Sequence, residues 1–204
     1  VNLNKKLSVK KLPVKFKTVD GFFDISNNGL TSLDGCPKTV TGDFNCSRNS
    51  LISLFEGPTE VNDFDCSYNQ LKNLSYAPKE VKGNFDCSNN LIDSVKGMPR
   101  TVKGYFNCST NKIATLKGGP KYVDATFDCS QNLIDRLTGG PVSVGQDYLC
   151  FKNNLTDLDG VADEIGFDLV SDIRLNHLSS TFNEEEKTWR YKGSEVISHI
   201  YKPI

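Results

Sequence analysis

One phrase returns along this chain at a nearly constant stride: an aromatic, a short polar residue, cysteine, usually serine, a variable residue, asparagine. Its cysteines are Cys46, Cys66, Cys87, Cys108, Cys129 and Cys150, at intervals of 20, 21, 21, 21 and 21 residues. Tyr148 to Asn153 closes the series with Phe151 in place of serine, and Phe23 to Asn28 opens it with Ile25 in place of cysteine. A fixed period near 21 residues specifies stacked units that touch only their neighbours, not a globule around one closed core.

The remainder of each repeat is as regular. An aliphatic follows the asparagine by two positions (Leu30, Leu51, Leu71, Ile92, Ile113, Ile134, Leu155), and another comes three further on (Leu33, Leu54, Leu74, Val95, Leu116, Leu137, Leu158). Then come a proline (Pro37, Pro58, Pro78, Pro99, Pro120, Pro141) and, three later, a valine (Val40, Val61, Val81, Val102, Val123, Val144). Phe44 and Cys46 lie two apart, so an extended strand points both the same way, and Asp43, Asn45 and Ser47 are expected to face solvent. One such strand per repeat builds a parallel sheet of seven to eight strands, roughly 35 Å long at ~4.8 Å per strand. The Pro-bearing segment has little room for an α-helix and reads as an extended, polyproline or single-turn 3₁₀ crossover. The repeated Asn reads as a cap on the strand-to-loop turn, bonding backbone groups of its own and the next unit.

These phrases resemble the leucine-rich repeat, in particular the short, proline-bearing repeats of bacterial effectors and bacteriophage-encoded proteins, with Cys and Phe where that family usually has Leu. The resemblance spans about Val19 to Leu158, with a degraded further unit at Ile165 to Ser171. It implies a β-solenoid-like leucine-rich repeat with its sheet on the concave face and caps at both ends. The expected division is a basic N-terminal cap at 1–18, repeats at 19–171 and a C-terminal cap at 172–204. Within the cap at the start, Val14 and Phe16 are expected to point inward from a first strand, with the lysines outward. At the other end, Glu184 to Lys187 reads as a turn between two extended pieces, and Ser194 as the cap of a short helix running through Ile197 and Tyr201. Val and Phe lie four apart where the family has three, which implies a bulge or kink entering the strand.

The seven cysteines do not read as a disulfide framework, since they come one per repeat and their number is odd. Nor do they read as zinc sites, because the only histidines, His177 and His199, lie outside the repeats. Cysteine here reads as a small hydrophobe in a narrow core, which favours a reducing, cytoplasmic setting (host cytoplasm if bacteriophage-encoded) and implies no cofactor or metal. The net charge of −1, with 37% hydrophobic and 24% charged residues, argues against both a disordered tail and a general polyanion binder. Neither an apolar membrane span nor a signal-peptide core occurs in the sequence. Phosphate-loop, nucleophile-elbow and metal-triad motifs are missing too, so a non-enzymatic role is expected.

Function then lies on the faces. Around each aromatic, Asp24, Asp43, Asn45, Asp63, Asp65, Asp86, Asn107, Asp128 and Asp147 make an acidic, amide-rich stripe, while Lys38, Lys79, Lys82, Arg100, Lys103 and Lys121 place positive charge on the crossover side. The position after serine varies most: Asn27, Arg48, Tyr68, Asn89, Thr110, Gln131, Lys152. Variation inside a rigid repeat is where specific contacts are written. Tyr105, Tyr148, Leu149 and Phe151 make the C-terminal end of the same face apolar and are candidate anchors. The candidate contact set is therefore Arg48, Asp65, Tyr68, Asp86, Asn89, Tyr105, Asp128, Gln131, Tyr148, Leu149, Phe151 and Lys152. The expected partner is a protein, conceivably a basic or nucleic-acid-binding host protein inhibited or modulated by a bacteriophage product, and homodimerisation through sheet ends is an option. Two other readings stand beside it: a structural or adhesin-type spacer of a particle or cell surface, and a weak nucleic-acid binder acting through the N-terminal lysines.

Overall fold

The computed structural model describes residues 1–156, 158–167, 169–170, 180–183, 188–191 and 194–196. Among them the chain winds as a parallel β-solenoid with no helix. Each turn carries two strands of two residues, one ending at the repeated valine and one starting at the repeated aromatic.

The aromatic strands form one eight-stranded parallel sheet running from Phe23–Asp24 to Leu169–Val170. Its register stacks Phe23, Phe44, Phe64, Phe85, Phe106, Phe127, Tyr148 and Leu169 in one column. Successive ring centroids from Phe23 to Tyr148 lie 5.0 to 6.0 Å apart. The cysteines two positions on form a second buried column, as the alternation of a strand requires. Each buried Phe contributes about 1.5–3 kcal/mol from area alone, so the column holds the turns together alongside the buried Leu, Ile and Val columns. All seven cysteines are buried and none forms a disulfide. Burial pushes Cys36 up to about 12 and holds Cys46, Cys66, Cys87, Cys108 and Cys129 well above the ordinary thiol value, so they pack as neutral hydrophobes.

The valine strands form two further parallel sheets of four, from Thr18–Val19 to Glu80–Val81 and from Thr101–Val102 to Glu164–Ile165. This second ladder lies in the segment expected to be an extended, polyproline or single-turn 3₁₀ crossover. The 3₁₀ option does not occur among the described residues. The segment after the second aliphatic instead closes with an i→i+3 bond, as from Gly57 N–H to Leu54 O at 3.0 Å and from Gly140 N–H to Leu137 O at 3.0 Å. The Val-to-Phe spacing marks the corner between the two ladders, which explains its departure from a single-strand repeat. It is three residues, not four, only at Val61–Phe64.

Asn49, Asn69, Asn90, Asn111, Asn132 and Asn153 lock adjacent turns. The Asn90 Nδ2 donates to Cys87 O, Ser88 O and Cys66 O, each at 3.1 Å, while its Oδ1 accepts from Leu71 N–H at 3.0 Å. The amide thus binds its own turn and the preceding one, not the next. Ser26, Ser47, Ser67, Ser88, Ser109 and Ser130 are buried, contrary to the expectation that this position faces water. The strand ends after the aromatic and its neighbour, and the serine folds back onto that neighbour's side chain.

The first residues coil as one more, degenerate turn. Leu3 N–H bonds Asp24 O at 2.7 Å and Lys5 N–H bonds Ser26 O at 3.2 Å, while Asn28 Nδ2 reaches Leu3 O at 2.9 Å. Leu12 is buried, and Phe16 sits edge-on to Phe23 with centroids 4.9 Å apart. Val14, expected inward, is exposed: Leu12 fills the core position, and Pro13 separates it from Val14. Near the other end, Ser180–Asn183, Thr188–Tyr191 and Ser194–Val196 form an antiparallel sheet. The extended pair flanking Glu184 to Lys187 is as expected, the turn itself lying outside the described residues. The helix expected from Ser194 is instead a strand, with Val196 set opposite Trp189 in a β-branched–aromatic register that favours sheet pairing. Ile197 and Tyr201 lie outside the described residues.

Candidate functional site

Three columns flank the aromatic ladder on its outer side. The first, immediately before the aromatic, is Phe22, Asp43, Asp63, Asn84, Tyr105, Thr126 and Asp147. Here side chains satisfy the next turn's backbone: Asp43 Oδ1 accepts from Asp63 N–H at 3.2 Å, Asp63 Oδ1 from Asn84 N–H at 2.8 Å, and Asn84 Oδ1 from Tyr105 N–H at 2.9 Å. The relay stops at Tyr105, whose ring cannot accept in this way.

The second column follows the aromatic: Asp24, Asn45, Asp65, Asp86, Asn107, Asp128 and Leu149, all half-buried. Its Oδ1 atoms accept from the serine N–H two residues on, at 2.9 Å for Asp24, Asn45, Asp65 and Asp128, 2.8 Å for Asp86 and 3.0 Å for Asn107. Aspartate and asparagine therefore perform the same structural task. Only aspartate brings charge, and there it meets resistance: burial raises the Asp86 and Asp128 carboxyls above their ordinary value, against the opposing pull of the Ser88 and Ser130 hydrogen bonds.

The third column is the variable one. Asn27, Arg48, Tyr68, Asn89, Thr110, Gln131 and Lys152 all adopt left-handed backbone, with φ between 52° and 56°. The chain must reverse sharply here to leave the strand and bring the next Asn amide under the turn. A left-handed residue achieves that reversal, at about 1–2 kcal/mol for any side chain bearing a Cβ. The side chains project from the corner in a row, and Arg48 stacks its guanidinium over the Tyr68 ring at 4.2 Å.

Of the sequence-derived set, Arg48, Tyr68, Asn89, Gln131 and Lys152 fall in the third column, Asp65, Asp86, Asp128 and Leu149 in the second, and Tyr105 in the first, so these ten share one face. Phe151 is half-buried in the serine column. Tyr148 is a correction: it is fully buried as a rung of the aromatic ladder, because it occupies the Phe position of its turn. Its hydroxyl, enclosed and without a hydrogen-bond partner among the described residues, replaces a ring hydrogen.

An open groove of about 600 Å³ on this face is lined by Asp86, Tyr105, Asn107, Thr126, Asp128 and Gln146, with others. Thr126 and Gln146 escape sequence reasoning because they stand outside the repeated phrase. A second exposed feature was also missed: Phe55 and Tyr76, edge to face at 5.2 Å on the turn after the second aliphatic. The crossover lysines are partly committed to the fold itself. Lys121 Nζ bonds Gly139 O at 2.8 Å and Gly140 O at 2.9 Å, Lys79 Nζ reaches Gly97 O at 3.3 Å, and Lys38 and Lys103 pair with Glu56 and Asp124. No group of side chains among the described residues could hold a metal ion, and no helix there is long and apolar enough to cross a membrane.

No protein-family model, curated protein or solved structure matches the chain.

Proposed function

We propose that this is a non-enzymatic, protein-binding repeat protein of the short leucine-rich type that engages its partner through the face of the aromatic ladder. The carrying observation is the left-handed column. Glycine would make each of those corners with least strain, yet none of Asn27, Arg48, Tyr68, Asn89, Thr110, Gln131 and Lys152 is glycine. Side chains kept in a left-handed backbone, of six kinds over seven turns and set in a rigid row, have the form of a recognition surface. The Asn lock and the regular aliphatic positions support the leucine-rich reading, and buried cysteines outside any disulfide suit a reducing compartment.

The test is a triple variant, Tyr68→Gly, Thr110→Gly and Gln131→Gly, compared with the parent chain in affinity capture followed by mass spectrometry. The variant keeps or raises its Tm and loses the parent's partner. Equal recovery of the same partner by both chains would remove the column from the contact surface.

A further inference from the structure

We propose that the groove beside Tyr105 and Asp128 receives the guanidinium group of an arginine on an extended segment of the protein partner. This rests on the protein-binding reading above and specifies the chemistry of one part of that face.

Three observations converge on it. First, the charge is not needed by the fold. Asn45 and Asn107 accept the serine bonds that Asp86 and Asp128 accept, at 2.9 and 3.0 Å against 2.8 and 2.9 Å. An amide would serve equally well, yet the groove keeps two half-buried carboxylates with Asn107 between them. Second, neither charge is answered by a cation among the described residues. No lysine or arginine among the described residues pairs with Asp86 or Asp128, whereas Lys38, Lys103, Lys11 and Lys15 find carboxylates elsewhere. Asp86 does take a bond from Asn107 Nδ2 at 3.2 Å, but the one donor to Asp128 among the described residues is the Ser130 N–H at 2.9 Å. Asp128 is therefore the carboxylate with capacity left. Third, the wall beside these carboxylates is aromatic. Tyr105 is partly exposed, and its position ends the backbone relay of the first column.

A carboxylate facing an aromatic wall in a half-desolvated groove favours arginine over lysine. A guanidinium is planar, stacks on a ring while donating in its own plane, and gives up water more readily than an ammonium. A bare metal ion is a poorer match, since no cluster of three ligating side chains exists here among the described residues.

The experiment titrates the intact, isotope-labelled chain with the peptide acetyl-Gly-Arg-Gly-Arg-Gly-amide, and with its lysine and citrulline counterparts, following backbone amide shifts. The arginine peptide gives saturable shifts centred on Tyr105, Asn107 and Asp128. The lysine peptide binds at least about tenfold more weakly and the citrulline peptide gives none. Asp128→Asn lowers arginine-peptide affinity at least about tenfold with no fall in Tm, because asparagine already occupies this column in neighbouring turns. Tyr105→Leu removes the preference for arginine over lysine. The proposal is overturned by lysine or citrulline peptides binding as tightly as arginine, by shifts spread equally over Asp43, Asp63 and Asp65, by undiminished binding to Asp128→Asn, or by no saturable shift at millimolar peptide. The Tyr68, Thr110 and Gln131 capture experiment is independent of all these outcomes, so failure here leaves that reading standing.

Discussion

From Phe23 to Gly160 two corners with positive φ recur in each repeat, and the chain treats them in opposite ways. At the corner after the second aliphatic, Gly35, Gly97, Gly118, Gly139 and Gly160 adopt φ of 85° to 95°. At the corner after the strand, no residue is glycine and φ stays between 52° and 56°. Part of the difference is steric. The first corner resembles the third position of a type II turn, near +80°, while the second sits in the left-handed well that L-residues enter at smaller cost. Where the first corner does lack glycine, at Glu56 and Tyr76, φ contracts to 71° and 68°. Those two side chains are also engaged, Glu56 with Lys38 at 3.2 Å and Tyr76 with the Phe55 ring. At this corner, then, the two side chains that stand in place of glycine both make contacts with a neighbouring turn.

The comparison breaks most visibly at Gly160. A Cβ there would lie 2.3 Å from Thr138 Cα, so Gly160→Ala adds a collision with backbone to the strain at φ 85° and destabilises by about 3 kcal/mol or more, read from urea unfolding. Gly97→Ala, where nothing lies within 4 Å, isolates the strain and loses only about 1–2 kcal/mol. An equal loss at both sites would show that close approach plays no part at this corner. Tyr148→Phe carries the opposite sign. It removes an enclosed hydroxyl with no partner and restores the ring found in the other turns, so the Tm rises with a gain of about 1–2 kcal/mol. Thr110→Gly sharpens the contrast from the other corner. A β-branched residue at φ 54° is the most strained of its column, and glycine there stabilises by about 0.5–1 kcal/mol. A loss of stability on that change would mean that the strand-end corner is not strained at all.

Much of this architecture is legible in the sequence because the period is rigid: the inward Phe and Cys columns and the Asn lock follow from spacing alone. The second strand of each turn is not, since two residues ending in Val40 or Val61 are too short to show alternation. The left-handed corner is hidden for a different reason. Its residues include Arg48, Tyr68 and Thr110, none of them a turn former, and its traces are the two asparagines, Asn27 and Asn89, and variability at a fixed place between Ser and Asn. Buried serines look exposed until their bond to the preceding Asp or Asn is known, and Tyr148 looked like an anchor because its neighbours Leu149 and Phe151 break the polar pattern around it.

The smallest effect concerns charge and tests whether Asp128 is held at a cost. Burial raises its carboxyl above the usual value, so between the unfolded and folded pKa values the folded chain binds the proton that the unfolded chain has released. Stability contributed by this group therefore falls as pH rises through that window, and by neutral pH the ionised form is the less favoured one in the folded chain. Asp128→Asn removes the penalty while keeping the bond to Ser130 that Asn107 makes to Ser109. The variant should exceed the parent in Tm at pH 7, with the margin shrinking as acidification lets the parent's carboxyl take up its proton. Thermal unfolding of both chains across that range measures it. A margin that grows on acidification would mean that the carboxylate is stabilised by its surroundings, and the groove would then have no unmet charge to offer a partner.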